Sequence, residues 1–274
     1  MQPMLRSLFK TLEEIVYVEK YSAIRGIVQS IDPRLKIFSF TILILTAVSV
    51  RTITPLILLF VAITGLSVAT RIPLRYFLFR ATFFVPLFTA MIVLPLIFIT
   101  PGIPLAVIGF DQYSLCITNE GVYEAVHFTL KIWVSVASLT LLVLTTRFSS
   151  LLHAMEKLKI PKVFVMMTAV TYRFIFLFAD EAYRMVLARE SRRVGREHAI
   201  QVMRSLANII STLFIRSYER GERLYMAMLA RGYTGDVKSL VEMRLQAIDY
   251  LFGIVVVSLC ALTFLIDSSH IGGL

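Results

Sequence analysis

The sequence predicts an all-α membrane protein, a polytopic membrane helix bundle of about five transmembrane helices with a cytoplasmic coupling domain of amphipathic helices. Three observations lead there. Hydrophobic residues fill 57% of the 274 positions, only 17% are charged and the mean hydropathy is +0.78, more apolar surface than a soluble core encloses. Five apolar runs approach the roughly 20 residues needed to cross a hydrocarbon layer about 30 Å thick. Residues 147–246, by contrast, are dense in Arg and Lys yet keep helical apolar periodicity.

The elements follow in order. Leu5, Leu8, Phe9, Leu12, Ile15 and Val16 recur at helical spacing, with Arg6 and Lys10 elsewhere, which suggests an interfacial amphipathic helix. Glu13, Glu14 and Glu19 stand where a signal peptide would need an apolar stretch. The first span begins after Asp32-Pro33, with Asp as cap and Pro in the first helical position, and runs over 35–50. The others are expected over 55–70, 81–100, 121–146 and 247–266. The chain thus divides into 1–146, 147–246 and 247–274.

Charge sets the expected orientation. Arg25, Arg34 and Lys36 precede or open the first span, and Arg71, Arg75 and Arg80 link the second to the third. Residues 101–120 and the tail after Asp267 hold no Lys or Arg. The excess of basic residues on one side places the N-terminus and residues 147–246 in the cytoplasm of a plasma-membrane protein. It also accounts for the net charge of +10 without nucleic acid as a partner. Cys116 and Cys260 lie far apart and make no metal-binding spacing.

Three or four helices are expected in 147–246, punctuated by Pro161 and Gly195 and ended by Gly232 and Gly235. Residues 163–179 are apolar enough for a sixth span, but Arg173 in their middle is costly in lipid. They are expected at the membrane boundary or packed beneath the bundle.

This segment holds a repeat. Residues 180–189 read Asp-Glu-Ala-Tyr-Arg-Met-Val-Leu-Ala-Arg, and residues 222–231, forty-two positions on, read Glu-Arg-Leu-Tyr-Met-Ala-Met-Leu-Ala-Arg. In each copy an acidic residue precedes Tyr183 or Tyr225 by three places, and each ends in Leu-Ala-Arg. Leu224 to Ala230 is apolar on every side and must be covered by protein, lipid or a partner. Met226 and Met228 adapt to an irregular groove, and Ala227 and Ala230 let a backbone approach closely. Arg189 and Arg231 offer a planar donor fork, and Gly232 permits the left-handed turn that stops the second helix. Glu219 and Arg223, four apart, suit a local ion pair. Two similar arginine-ended helices suit two similar sockets; helix capping with a snorkelling arginine is the plain alternative.

Elsewhere Glu124, His127 and Lys131 share a face of the fourth span, a candidate functional line with snorkelling as its alternative. No phosphate loop G-x-x-x-x-G-K-[ST] and no H-E-x-x-H occurs, and His127, His153, His198 and His270 are scattered without ligand spacing. A catalytic role and a bound metal are therefore not expected. Energy for active transport would come from another subunit.

The run Asp32-Pro33-Arg34-Leu35-Lys36, Thr145-Thr146-Arg147 leading into Leu158-Lys159-Ile160-Pro161, Tyr172-Arg173-Phe174 with Asp180-Glu181, and Tyr225 to Tyr233 carry a family likeness. The chain resembles, over nearly its whole length, the transmembrane T component of energy-coupling factor (ECF) transporters, closest to the CbiQ-like cobalt and nickel branch. The resemblance implies a scaffold joining two ABC-type ATPase subunits to a substrate-binding membrane S component within the lipid bilayer. It implies no cofactor in this chain, with ATP and Mg held by the ATPases. It places coupling contacts at Ala188 and Arg189, and at Ala230, Arg231 and Gly232. The first copy departs from Ala-Arg-Gly, since Glu190 and Ser191 follow Arg189 and the nearest glycine is Gly195. Arg189 and Arg192 are thus both candidates there, with Tyr183, Leu187, Tyr225, Met226, Met228 and Leu229 as the docking surface. The permease of a conventional ABC importer, and a membrane-anchored enzyme or regulatory protein whose basic helices bind anionic lipid, are the competing readings.

Overall fold

The computed structural model describes residues 26, 28–70, 73–101, 104–110, 113–192, 198–235 and 245–271. The expected N-terminal amphipathic helix and Gly195 lie outside the described residues. Eight helices and a hairpin follow in order among those described: α1 (Pro33–Ser49), α2 (Ile53–Ala69), α3 (Leu74–Ile99), β1 (Pro104–Phe110), β2 (Tyr113–Thr118), α4 (Asn119–Thr145), α5 (Phe148–Lys157), α6 (Lys162–Ser191), α7 (Ala199–Ala230) and α8 (Ala247–Ile271). The chain divides inside α5 into two compact units, residues 17–151 with 243–274, and residues 152–242.

All five expected spans form helices, and the first unit is built from them. Asp32 caps α1, accepting a hydrogen bond from the Arg34 N–H at 2.9 Å, and Pro33 opens the helix. The core is a set of seams at helical spacing. Phe40, Leu43 and Ala47 of α1 are buried with Leu56, Leu59 and Ile63 of α2, Phe77 and Ala81 of α3, Val134, Ala137, Leu141 and Leu144 of α4, and Phe252, Val256 and Cys260 of α8. Small residues let the helices approach. Phe60 lies against Trp133 with ring centroids 4.0 Å apart, and the Trp133 indole N–H donates to Thr82 Oγ1 at 3.0 Å.

The outer surface is apolar as well: Leu45, Val48, Ile57, Val61, Leu139, Ile254, Val257 and Phe264 are exposed. Helices apolar on both faces belong in lipid. Among the described residues α4, α6 and the 247–269 stretch of α8 are long and apolar enough to cross a membrane, with α2 a shorter apolar helix. The α6 helix meets that measure on length and composition even though Arg173 lies exposed near its middle.

The buried charged groups among the described residues of the bundle, Asp32, Lys36, Asp249 and Asp267, gather at the helix ends. Asp249 and Asp267 stand eighteen residues apart on α8, five turns and about 27 Å on the same face. Asp249 accepts from the Asp32 N–H at 2.8 Å and the Gln246 N–H at 2.7 Å. Asp267 accepts from the Thr52 N–H at 3.0 Å, the Thr52 hydroxyl at 2.7 Å and the Arg51 N–H at 3.2 Å. One carboxylate closes the start of α1 and the other the start of α2, where helix N–H groups lack partners.

The connection 101–120, read in the sequence only for its lack of Lys and Arg, carries a two-stranded antiparallel hairpin pairing Phe110 with Tyr113 and Val107 with Cys116. Its far end is tied back by the Thr118 hydroxyl, which donates to the Thr100 carbonyl at 2.9 Å and accepts from the Gly121 N–H at 3.2 Å. A Cβ on Gly121 would come within 2.8 Å of the Ile97 carbonyl, so glycine lets α4 start against the end of α3.

Candidate coupling surface

The second unit is organised by α6 and α7, and four side-chain contacts fix their relation. Arg189 Nε donates to Ser205 Oγ at 2.5 Å; Arg216 Nη1 meets Glu181 Oε1 at 2.6 Å; the Arg220 guanidinium lies 5.8 Å from the centre of the Phe178 ring; and the Tyr233 hydroxyl meets Met166 Sδ at 3.2 Å. Positions rise along α7 as they fall along α6, so the two helices form an antiparallel hairpin. Glu181 is its central tie, with Arg220 Nη2 also 3.9 Å from its second oxygen.

The repeat acquires a geometry from this pairing. Phe178 and Arg220, which face each other across the hairpin, are themselves forty-two positions apart. A local two-fold relation between the copies therefore passes between them. Residues 180–189 run from that point towards one end of the hairpin and 222–231 towards the other. Arg189 faces Ser205, and Arg231 lies twenty-six residues further along α7, about 39 Å away at 1.5 Å per residue.

The two ends are finished differently. Arg231 caps α7, Gly232 follows with φ +79°, the Tyr233 N–H donates to the Met228 carbonyl at 3.0 Å and the Gly232 N–H to the Leu229 carbonyl at 2.9 Å. This is the Schellman stop, which satisfies the last carbonyls and leaves the capping side chain outside the helix. Arg231 is exposed, and among the described residues its side chain has no ion pair or hydrogen bond. At the α6 end Arg189 is half-buried on Ser205, Arg192 is the exposed cap residue, and Ala188 and Leu187 are exposed.

No residue of α7 is buried. Tyr225, Met226, Leu229 and Ala230 are exposed, and Met228 is half-buried, as is Tyr183 on α6. Ile200, Met203, Ile210, Phe214 and Tyr218 extend the exposed apolar surface. The unit therefore presents an uncovered apolar flank and an arginine near each end. Glu219 and Arg223 form the local pair that their spacing predicts, at 3.8 Å, and Asp180 and Arg184 form a matching one at 2.8 Å. The Glu181 tie escapes a reading of local spacing because its partners lie on the other helix. The signal available was an acidic residue just past the apolar run 163–179, with Arg216 and Arg220 four apart on the next helix.

The line on α4 sits elsewhere, in the bundle. Glu124 is exposed, His127 and Lys131 are half-buried, and an open cleft of about 520 Å³ is lined by Arg51, Asn119, Glu120, Tyr123, Glu124 and His127. Among the described residues no three His, Cys, Asp or Glu side chains are placed to hold a metal ion.

Comparison with known proteins gives a consistent set. The family described as CbiQ, cobalt transport protein, matches residues 25–243. An uncharacterized protein of Methanocaldococcus jannaschii is 32% identical over 265 residues, 96% of this chain and 90% of that one. The cobalt transport protein CbiQ of Rhodobacter capsulatus is 27% identical over 195 residues, 71% and 75% of the two chains. The energy-coupling factor transporter transmembrane protein EcfT of Staphylococcus aureus is 27% identical over 271 residues, 93% and 98% of the two.

Proposed function

This chain belongs to the CbiQ cobalt transport protein family, a family of multi-pass membrane transport components, and we propose that within it the chain is the coupling subunit of an energy-coupling factor importer. Two ABC-type ATPases bind the α6–α7 hairpin, a separate S component carries the substrate, and this chain moves the one in response to the other. Cobalt is the cargo the family name suggests, with nickel the alternative of the same branch. ATP and Mg belong to the ATPases, and this chain takes no cofactor of its own. Residues 147–246 lie in the cytoplasm.

The observation that carries the reading is the antiparallel placement of the two Leu-Ala-Arg copies. Paired ATPases related by a two-fold axis offer two equal grooves facing opposite ways, and a hairpin with a local two-fold offers two related ends, though the two are capped differently. The exposed apolar residues Tyr225, Met226 and Leu229 supply adhesion, and the arginines supply charge-assisted hydrogen bonds to carboxylate or carbonyl groups. When ATP draws the grooves together, force enters at both ends of the hairpin and acts about its Glu181 tie.

A conventional permease would use one docking helix per chain, as a pair of chains. Weighing the purified complex separates the two: one copy of this chain with two ATPase subunits is expected here, and two copies with two ATPases would replace the coupling reading by the permease. The direct test is Arg231→Glu. Cobalt uptake by vesicles should fall at least tenfold and ATPase association should weaken while the chain still inserts. Uptake at the unaltered rate would remove Arg231 from the coupling role.

A further inference from the structure

The run Asp32-Pro33-Arg34-Leu35-Lys36 has no part in the hairpin, yet it holds the most enclosed charge among the described residues. Lys36 is 1% exposed, and its ammonium donates to the main-chain carbonyls of Gln29 at 3.2 Å and Thr145 at 3.1 Å. Thr145 is the last residue of α4, where carbonyls lack helical partners and the helix dipole favours a cation. Asp249, 3% exposed in the first turn of α8, takes the N–H groups of Asp32 and Gln246. Asp32 is 7% exposed and caps α1. Asp249 and Asp32 are the acidic groups whose charge favours the Lys36 ammonium, the compensation that an enclosed cation requires.

Three helix ends therefore meet at one point: the start of α1, the end of α4 and the start of α8. Two of them are the places where the chain leaves the bundle for residues 147–246 and where it returns. Among the described residues α4 and α8 share little surface of their own, whereas α1 packs along both. The bonds here also fall on main-chain groups, so they hold the chain ends rather than the helix faces.

We infer that Lys36, Asp32 and Asp249 are positioning residues that clamp the exit and return points of the coupling segment into a single anchor, so that a pull on that segment moves the bundle as a body instead of parting α4 from α8. The inference rests on the coupling role of residues 147–246 given under Proposed function. Lys36 is the centre of the clamp because its ammonium alone reaches both the α1 approach and the α4 end. Removing it leaves the enclosed carbonyls of Gln29 and Thr145 without their donor.

The test uses the full chain with its native cysteines replaced and spin labels on Arg147→Cys and Leu245→Cys, both exposed positions beside the anchor. With Lys36 present the interlabel distance should be a single narrow distribution. With Lys36→Met the width should at least double; an unchanged width overturns the anchor. Asp249→Asn, which keeps the side-chain shape and removes the charge, gives the same comparison if Lys36→Met does not accumulate. In the assembled transporter, Lys36→Met should lower uptake per ATP hydrolysed at least tenfold while hydrolysis and ATPase association stay within twofold. A purely structural loss would lower uptake and hydrolysis together and leave their ratio intact, and that result also overturns the proposal. Failure of the coupling reading appears separately, as Arg231→Glu with normal uptake, and leaves the label result to decide the anchor.

Discussion

Replacing Gly232 by residues that differ in their tolerance of the left-handed conformation isolates what the Schellman stop contributes. Gly232 has φ +79°, and a Cβ built there meets nothing within 4 Å. Any cost of a side chain is therefore conformational and not steric. An L-residue held in that region loses about 1–2 kcal/mol. The chain avoids the cost only by unwinding the last turn, which releases the Tyr233 to Met228 and Gly232 to Leu229 bonds and lets Arg231 swing from its capped position. If the ordered end is the form that binds an ATPase, 1–2 kcal/mol corresponds to roughly a 5- to 30-fold loss of affinity. Gly232→Ala should show that loss, Gly232→Val should exceed it because β-branching tolerates the region least, and Gly232→Asn should fall near wild type because Asn visits it readily. The assay is ATPase binding to the purified variants, with amide exchange at residues 232 and 233 reporting the unwinding. Equal losses for Asn and Val would refute the argument, since they would mean that bulk at the contact, and not the backbone turn, decides binding.

Two further outcomes follow from the fold. Asp267→Ala removes the acceptor for two N–H groups and a hydroxyl at the start of α2, and should lower unfolding stability in detergent by about 1–3 kcal/mol; an unchanged melting temperature would show that water replaces the carboxylate at no cost. Lys159 has φ +66° just past the end of α5, with the Ile160 N–H on the Met155 carbonyl at 3.3 Å, so a non-glycine residue occupies a stop that favours glycine. Lys159→Gly should raise stability by about 1 kcal/mol, read as a higher melting temperature, and a fall instead would mean that the lysine side chain supports the turn.

The parts of this protein that were legible in its sequence are those set by neighbours in the chain. Asp32-Pro33 marks the start of α1 because capping and a fixed φ act within one turn, and Gly232 marks the end of α7 for the same kind of reason. The five apolar helices are legible because the hydrocarbon length is fixed by the solvent. The 104–118 hairpin was missed because the connection was read for charge, although Leu115, Cys116, Ile117 and Thr118 have the strand-forming character of a short apolar run. Asp249 and Asp267 carry no sequence pattern that singles them out. Their acceptor roles at Asp32 and Thr52 span 217 and 215 residues, beyond the reach of any local pattern. The repeat itself was visible, but not that its copies point to opposite ends, because only Glu181 with Arg216 and Phe178 with Arg220 set the direction of the hairpin.

The most direct measurement places a photo-crosslinking residue at Leu187 and, in a second variant, at Leu229, the two positions equivalent under the repeat, in the assembled transporter. Mapping the ATPase peptides should return the same groove from both positions, with each variant capturing one ATPase subunit. Crosslinks from Leu187 and Leu229 to different surfaces, or to lipid alone, would contradict an account in which one hairpin offers two repeat-related ends to two equal sockets.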